Sequence, residues 1–469
     1  MDTNNTKGII GALPAFEEDI GSFLEGHQFY ISATNIQETK RETFIIQAVI
    51  LSTSISVTVV SGPDDVKATT NFAEKPFYYS FFGIWLGDGL FTAPAHVWKK
   101  NIKKLGGTFS TSVVEGFLDA FNTHSQNMVQ RLKGYVGKEP FDVSHELALT
   151  SLEAICHTAL GEECVSDNVI TIEYYNTMNR CLQLIVNRGL NVFLHPDFIY
   201  KLTPAYRELF QCKTYLQNFS NVVSFVKMRF ESINIVIFTD SNGVKMKTYL
   251  DILLELHESN PTFTEEQIRA EVDTIILGGQ ETAATALTFA LLILGRNKCV
   301  QNKLYAELKE IFGDNTRPVE KEDLARMKYC EAVLYETLRL YPSVPGFIRY
   351  IDKDTQLKSC RVPSKTTCVI STWAAGRSRR AWGPDAEEFK PERWLHEEPP
   401  PGYPASFFAF GFGRRPCIGK KYAMTIMKTV LANCIRELEF ESECDCNDLR
   451  LDIVLRVVSG HLVKVRLRK

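Results

Sequence analysis

No two cysteines in this chain have the C-x-x-C spacing of a structural zinc site, and twelve of them over 469 residues are too dilute for a disulfide scaffold. The one close pair, Cys444 and Cys446 in Glu-Cys-Asp-Cys-Asn, makes a poor zinc half-site. Free thiols in a reducing, cytosol-facing environment are the simplest reading. Excess charge is missing too: 53 Lys plus Arg stand against 56 Asp plus Glu, a formal net charge of -3, so no global field favours nucleic acid. Any basic partner surface must be local. Repeats, low-complexity tracts and Gly/Ser-rich linkers are absent, and the opening Met-Asp-Thr-Asn-Asn-Thr-Lys lacks the charged start and apolar run of a signal or anchor.

Long lipid-facing runs are scarce as well. Two interior stretches approach the roughly 20 apolar residues that span a bilayer. Phe44 to Val60 is rich in Ser, Thr and β-branched residues, which suits strands. Ile275 to Leu294 carries Gln280, Glu281 and threonines, which suits a buried helix.

What remains is an ordinary globular composition, 45% hydrophobic and 23% charged, on a chain long enough to bury a large cofactor pocket. The patterning predicts a mostly α fold with a small β-rich lobe (α+β): an N-terminal segment over 1–42, then a single domain over 43–469. Strands are expected near 43–60, 345–375 and 451–467, the last as a hairpin across Ser459-Gly460. The clearest helix runs over 264–296, opened by a Thr264-Glu-Glu-Gln267 capping box with Phe263 and Ile268 as a hydrophobic staple. A second helix, Cys330 to Tyr341, stops at Pro342, and a third is expected over Lys420 to Arg436.

The most informative segment is Phe410-x-x-Gly413-x-Arg415-x-Cys417-x-Gly419. A thiolate that ligates iron must approach a flat macrocycle closely, so its flanks need glycines where a Cβ would collide or a turn needs positive φ. Gly413 and Gly419 are assigned that task. Cys417 precedes a helix N-terminus, whose dipole and N–H groups favour an anionic sulfur. Arg415 can pair with a porphyrin carboxylate, and Phe410 can shield the sulfur from water. Taken alone, Cys417 would be read as a small buried hydrophobe. A dinucleotide loop at Gly411-x-Gly413 is disfavoured by Pro416, which stands where the third glycine belongs.

This segment resembles the haem-binding loop of the cytochrome P450 superfamily, with every fixed position of its ten-residue signature present. Glu336-x-x-Arg339 looks like that family's buried ion pair, and Arg393, in Phe389-Lys-Pro-Glu-Arg-Trp394, looks like its third member. An exposed i,i+3 pair is the blander alternative. Gly278-Gly279-Gln280-Glu281-Thr282 resembles the oxygen-binding stretch: paired glycines would let the backbone approach the macrocycle, and the Thr282 hydroxyl would turn back on the Gly278 carbonyl and open the helix. Thr282 and Glu281 would relay the proton that O–O cleavage needs. Trp98 and Arg349 resemble further partners of the haem carboxylates. Four residues after Trp98 the family usually places an arginine, and here stands Ile102, among Lys99, Lys100, Lys103 and Lys104.

The resemblance implies a haem-thiolate monooxygenase of the microsomal type, similar to the clan that contains fatty-acid ω-hydroxylases. Haem b would be bound non-covalently apart from the Cys417 thiolate, because Gly278 occupies the position where some clan members carry a haem-bonded glutamate. Electrons would come from NADPH through a flavoprotein reductase, with cytochrome b5 as a second donor. The four lysines, with Lys420 and Lys421, would form the docking face; a solvated helix face is the alternative. Also implied are O2, a lipophilic substrate held by Phe-rich residues 77–92 and by Ile275 and Leu277, a monomeric catalytic unit, and peripheral contact with the cytosolic face of the endoplasmic reticulum. No anchor is read at the start of the chain. A reductase-independent haem-thiolate isomerase and a haem-binding protein without turnover stay open as alternatives.

Overall fold

β-branched residues between Thr43 and Val60 form two antiparallel strands, β1 (Thr43–Ile50) and β2 (Thr53–Val60), with Phe44 opposite Val59 and Ile50 opposite Thr53. The computed structural model describes residues 31–32, 43–50, 53–161, 172–230, 247–260, 263–396, 398, 402–446, 448–451 and 453–468. Contacts group the chain into two units, each discontinuous in sequence. One comprises 1–76, 332–417 and 444–460; the other comprises 77–331, 418–443 and 461–469.

The first unit carries the main sheet, ordered Ile31–Ser32, β1, β2, β4 (Thr366–Ser371), β3 (Gly346–Ile351). Only the β2–β4 pairing is parallel, so the chain makes a long crossover between them. Val60, Val66, Ile351, Leu357, Ile370 and Phe408 form its core. In β3, Arg349 sits opposite Cys368.

The second unit is built on the long helix expected from the sequence. To follow the elements in chain order, α1 is Ala95–Leu105, α2 is Ser144–Leu160 and α3 is Glu265–Arg296. Thr264 caps α3 by accepting the Gln267 N–H at 3.3 Å, and Phe263 and Ile268 beside the cap are both buried. At about 1.5 Å per residue α3 is close to 50 Å long. Among the described residues it is the one helix long and apolar enough to cross a membrane, but 83% of its most apolar window is buried inside the protein, as in a core helix. It packs on α2, where Gly279 meets Ile155: a Cβ on Gly279 would come within 2.6 Å of that side chain. Packing of α3 on α2 therefore leaves no room for a side chain at the second glycine of the pair.

Two further helices follow, α4 (Lys328–Leu340), which ends before Pro342 as expected, and α5 (Lys420–Glu437). The terminal hairpin is corrected by the structure. Strands β5 (Leu438–Glu441), β6 (Leu449–Leu451), β7 (Leu455–Val457) and β8 (Leu462–Leu467) pair as β6 with β7 and β8 with β5, and β8 also pairs with Phe141–Asp142. Gly460, at φ 90°, turns the chain out of β7, and β8 finds a better apolar partner in β5, where Val465 lies opposite the fully buried Phe440. Alternation correctly marked Val463 and Val465 as buried but not Leu467, which is 55% exposed.

If Gly279 is a packing glycine, Gly279→Ala should lower stability by about 1–3 kcal/mol in thermal or denaturant unfolding, and adding Ile155→Ala should return part of that loss. Independent, additive effects of the two substitutions would contradict the contact.

Candidate active site

The loop before α5 is shaped by backbone rather than by side chains. Gly411 and Gly413 adopt φ values of 78° and 85°, a region costly for residues with a Cβ. Gly413 is doubly constrained, since a Cβ there would come within 2.6 Å of the Thr70 carbonyl oxygen. The same carbonyl accepts the Arg414 N–H at 3.1 Å. The Cys417 N–H closes the loop on the Phe410 carbonyl at 2.7 Å, and the Cys417 side chain is exposed. Phe410 is half-buried. Gly419, expected to serve either a close approach or a positive-φ turn, has a φ of -89° and is the N-cap residue of α5, so it is not the left-handed position. Gly411, passed over in the sequence reading, holds that conformation instead, and its position two residues before Gly413 was the available signal.

Glu336 and Arg339 are fully buried, not an exposed pair. One turn of α4 places them i,i+3, and the Arg339 guanidinium grips the carboxylate through two bonds of 2.7 and 2.8 Å. Arg393 Nε donates to the same carboxylate at 3.1 Å. Two donors that the sequence reading missed complete it, the Trp394 indole N–H at 2.9 Å and the Lys390 backbone N–H at 2.8 Å. Trp394 follows Arg393 directly, so its proximity was readable; the Lys390 bond was not. Arg339 also donates to the carbonyls of Gly376, Ala386 and Glu388, tying α4 to the chain before the loop. Beside them, Arg393 and Lys390 hold Asp385 well below the usual carboxylate range.

In the same unit two buried arginines lie near the loop. Arg415 Nη1 donates to the Ala73 carbonyl at 3.3 Å. Arg349, on β3, donates to the Ile348 carbonyl at 2.9 Å and stacks over the Phe347 ring at 4.7 Å. Lys75, absent from the sequence reading, stands close enough that burial first, then Arg415 and Arg349, hold its ammonium well below the usual lysine range. Three cations and a presented thiol are the donor set that a dicarboxylate carrying a thiolate-binding metal requires, and haem has both features. The residues fit that group.

In the second unit, the Thr282 hydroxyl donates to the Gly278 carbonyl at 2.8 Å, as the sequence suggested. The helix does not open: α3 is continuous from Glu265 to Arg296. A Thr hydroxyl can back-bond to i−4 without breaking the helical ladder. Gly278 is exposed and Thr282 half-buried on a helix otherwise almost wholly buried, while Glu281 is 3% exposed. Two further acids on α3 went unnoticed in the sequence. Burial pushes Glu271 and Asp273 each up to about 7; Glu271 accepts from the Leu90 N–H and the Tyr249 hydroxyl at 3.0 and 3.2 Å, and Asp273 accepts from Ser220. Trp98 and Ile102 are half-buried on α1, and Lys99, Lys100, Lys103 and Lys104 are exposed. Lys421 donates to Thr111, just beyond the end of α1. Ile275 and Leu277 are buried, as is Phe81, whereas Phe77 is 55% exposed.

Glu336→Gln should leave two guanidiniums short of their counter-charge in a dry site and cost about 3–5 kcal/mol. The expected result is protein recovered largely without bound haem; wild-type haem content and melting temperature would contradict the shared-carboxylate reading.

A family model described as cytochrome P450 matches residues 29–462. Cytochrome P450 4V2 from Mus musculus is 34% identical to this chain over 407 residues, which is 84% of the chain and 77% of that protein. The Homo sapiens protein of the same name is 33% identical over 403 residues, with the same shares covered. Cytochrome P450 4c3 from Drosophila melanogaster is 29% identical over 422 residues, covering 86% of this chain and 78% of its own length.

Proposed function

Because this chain belongs to the cytochrome P450 family of haem-thiolate monooxygenases, we propose that it inserts one atom of O2 into a lipophilic substrate, with Cys417 as the residue that would ligate the haem iron. The observation that carries this reading is the loop that turns through Gly411 and Gly413 and closes on the Phe410 carbonyl with its cysteine exposed. Bound haem supplies the oxygen-binding and redox chemistry, and a thiolate ligand favours O–O cleavage. Binding is non-covalent apart from that ligand, since Gly278 offers no side chain for attachment.

Each protein group then has one task. Cys417 would supply the thiolate ligand, and the helix that begins three residues further on would favour its anionic form. Phe410 keeps water from the sulfur. Arg415, Arg349 and Trp98 hold the haem carboxylates. Thr282 and Glu281, a hydroxyl and a buried acid on a largely apolar helix, would hold and pass protons. The reaction consumes two electrons and two protons: one oxygen atom replaces a substrate hydrogen as hydroxyl, and the other leaves as water. NADPH supplies the electrons through a flavoprotein reductase, and cytochrome b5 is an alternative donor for the second.

Support for a docking face comes from the exposure of Lys99, Lys100, Lys103 and Lys104 and from the Lys421 contact with Thr111, six residues past the end of α1. An acidic surface would be drawn there on an otherwise slightly acidic protein. The buried Ile275, Leu277 and Phe81 favour an apolar substrate, and the names of the relatives support the clan that contains fatty-acid ω-hydroxylases. Work at the cytosolic face of the endoplasmic reticulum accords with such substrates and with a membrane-held reductase.

Reconstituted with NADPH and a flavoprotein reductase, the protein should oxygenate an apolar probe such as a long-chain fatty acid. In Lys100→Glu/Lys104→Glu, reduction of the iron should slow by about 10-fold at low salt, the gap closing as salt rises. Unchanged reduction rates would remove the lysine surface. No NADPH-dependent product with any lipophilic probe would contradict the monooxygenase reading.

A further inference from the structure

In the second unit the helices Ile172–Leu190 and Pro204–Phe230 pack against each other, and two contacts fix their register. Tyr174 lies against Phe219 with ring centroids 4.7 Å apart, and Arg180 grips Glu208 through bonds of 2.6 and 2.9 Å. Partners recede along the second helix as the first advances, so the pair is antiparallel. Seven residues are two helical turns and bring a side chain back to the same face. Seven on from Tyr174 stands Cys181, and seven back from Phe219 stands Cys212. The two thiols therefore face each other across the seam, between the buried Met178 and Leu216 on one side and the buried Ile185 and Leu209 on the other.

Burial first, then the Cys212 sulfur, pushes the Cys181 thiol up, which agrees with that placement. Burial and Glu208 push the Cys212 thiol up while Arg180 opposes them, and Cys212 is the more accessible of the two. In a reducing medium both stay protonated and serve as packing groups. Among the described residues no three ligating side chains gather that could hold a metal, which leaves sulfur–sulfur chemistry. The helix pair also touches the segment 77–92 assigned to the substrate. Arg188, on the first helix, stacks over Phe81 at 4.2 Å, and Gln217, on the second, donates to the Trp85 carbonyl at 3.1 Å. A covalent tie between the two helices would forbid the small sliding by which packed helices adjust.

We propose that Cys181 and Cys212 are a reversible oxidation site, converted by hydrogen peroxide to a disulfide that fastens the two helices and slows exchange of substrate; the effect on exchange rests on the substrate assignment of residues 77–92 above. The Cys212 sulfur attacks a peroxide oxygen, the O–O bond breaks, and the products are a sulfenic acid and water. The Cys181 thiol then gives up its proton and attacks the Cys212 sulfur. An S–S bond forms, and the departing hydroxide takes that proton and leaves as a second water. Two electrons pass from the two sulfurs to one peroxide, and a thiol reductant returns them. The first step is slow because burial keeps Cys212 protonated; the second is fast because its partner is held beside it.

The test treats wild type and Cys212→Ser holoprotein with hydrogen peroxide, blocks the remaining thiols by alkylation and identifies peptides by mass spectrometry without reduction. Wild type should give a linked peptide pair holding Cys181 and Cys212, lost on adding dithiothreitol and absent from Cys212→Ser. Binding and release of a fluorescent long-chain fatty acid should slow by about 10-fold in oxidised wild type, recover with dithiothreitol and stay unchanged in peroxide-treated Cys212→Ser. Cys181 still open to alkylation in peroxide-treated wild type would overturn the proposal, and so would a disulfide that forms and leaves probe exchange unchanged. A reduced wild type that binds no apolar probe would instead overturn the substrate assignment, with the linked peptide still deciding the oxidation site.

Discussion

The carboxylate of Glu336, with no exposed surface, is the interaction on which the thiol-presenting loop depends. Two guanidiniums, an indole and a backbone amide converge on it, one donor from its own helix and three from residues 390–394. Arg339 extends the bond set to three carbonyls between 376 and 388. A helix and a stretch poor in regular structure thereby become one rigid piece, and the segment leading to Cys417 is hung from it. Buried pairs of this kind are weak sources of net stability and strong sources of unique geometry. Ligation of a metal by one sulfur needs the geometry.

Charge complementarity and backbone conformation divide the remaining work. Two left-handed glycines and a 2.7 Å bond from the Cys417 N–H to the Phe410 carbonyl shape the loop that carries the thiol. Burial first, then the charges of Arg415 and Arg349, hold the Lys75 ammonium well below the usual lysine range. On the long helix the polarity is reversed: Glu271, Asp273 and Glu281 are acids inside an apolar rod, and burial pushes the first two toward their neutral forms. An unpaired acid there costs folding energy unless hydrogen bonds or chemistry use it.

What could be read from the sequence was local. The ten-residue cysteine segment, the i,i+3 spacing of Glu336 and Arg339 and the Thr264 cap each place their groups within one or two turns, so spacing alone implies contact. The fold class was legible for the same reason, since periodicity marks α3 and β-branching marks β1 and β2. Long-range partners were not. Lys75 looks like any surface lysine until residues 70–74 are seen pinned to residues 350, 414 and 415. The β7–β8 hairpin failed because alternation fixes which residues are buried but not which strand lies opposite. The packing of Gly279 on Ile155 of α2 was not legible either, because the sequence does not say which helix lies against a glycine on a buried helix. For Gly419, spacing left a close approach and a left-handed turn both open, and its φ of -89° as the N-cap of α5 excludes the turn.

The central claim is that the Cys417 sulfur binds iron, and the reduced protein under carbon monoxide reports the ligand opposite the gas directly. A thiolate ligand gives a strongly red-shifted Soret band. The account predicts that band for the wild type and its loss in Cys417→His, which can still hold haem through a nitrogen. The same red-shifted band in Cys417→His, or its absence from haem-loaded wild type, would contradict it.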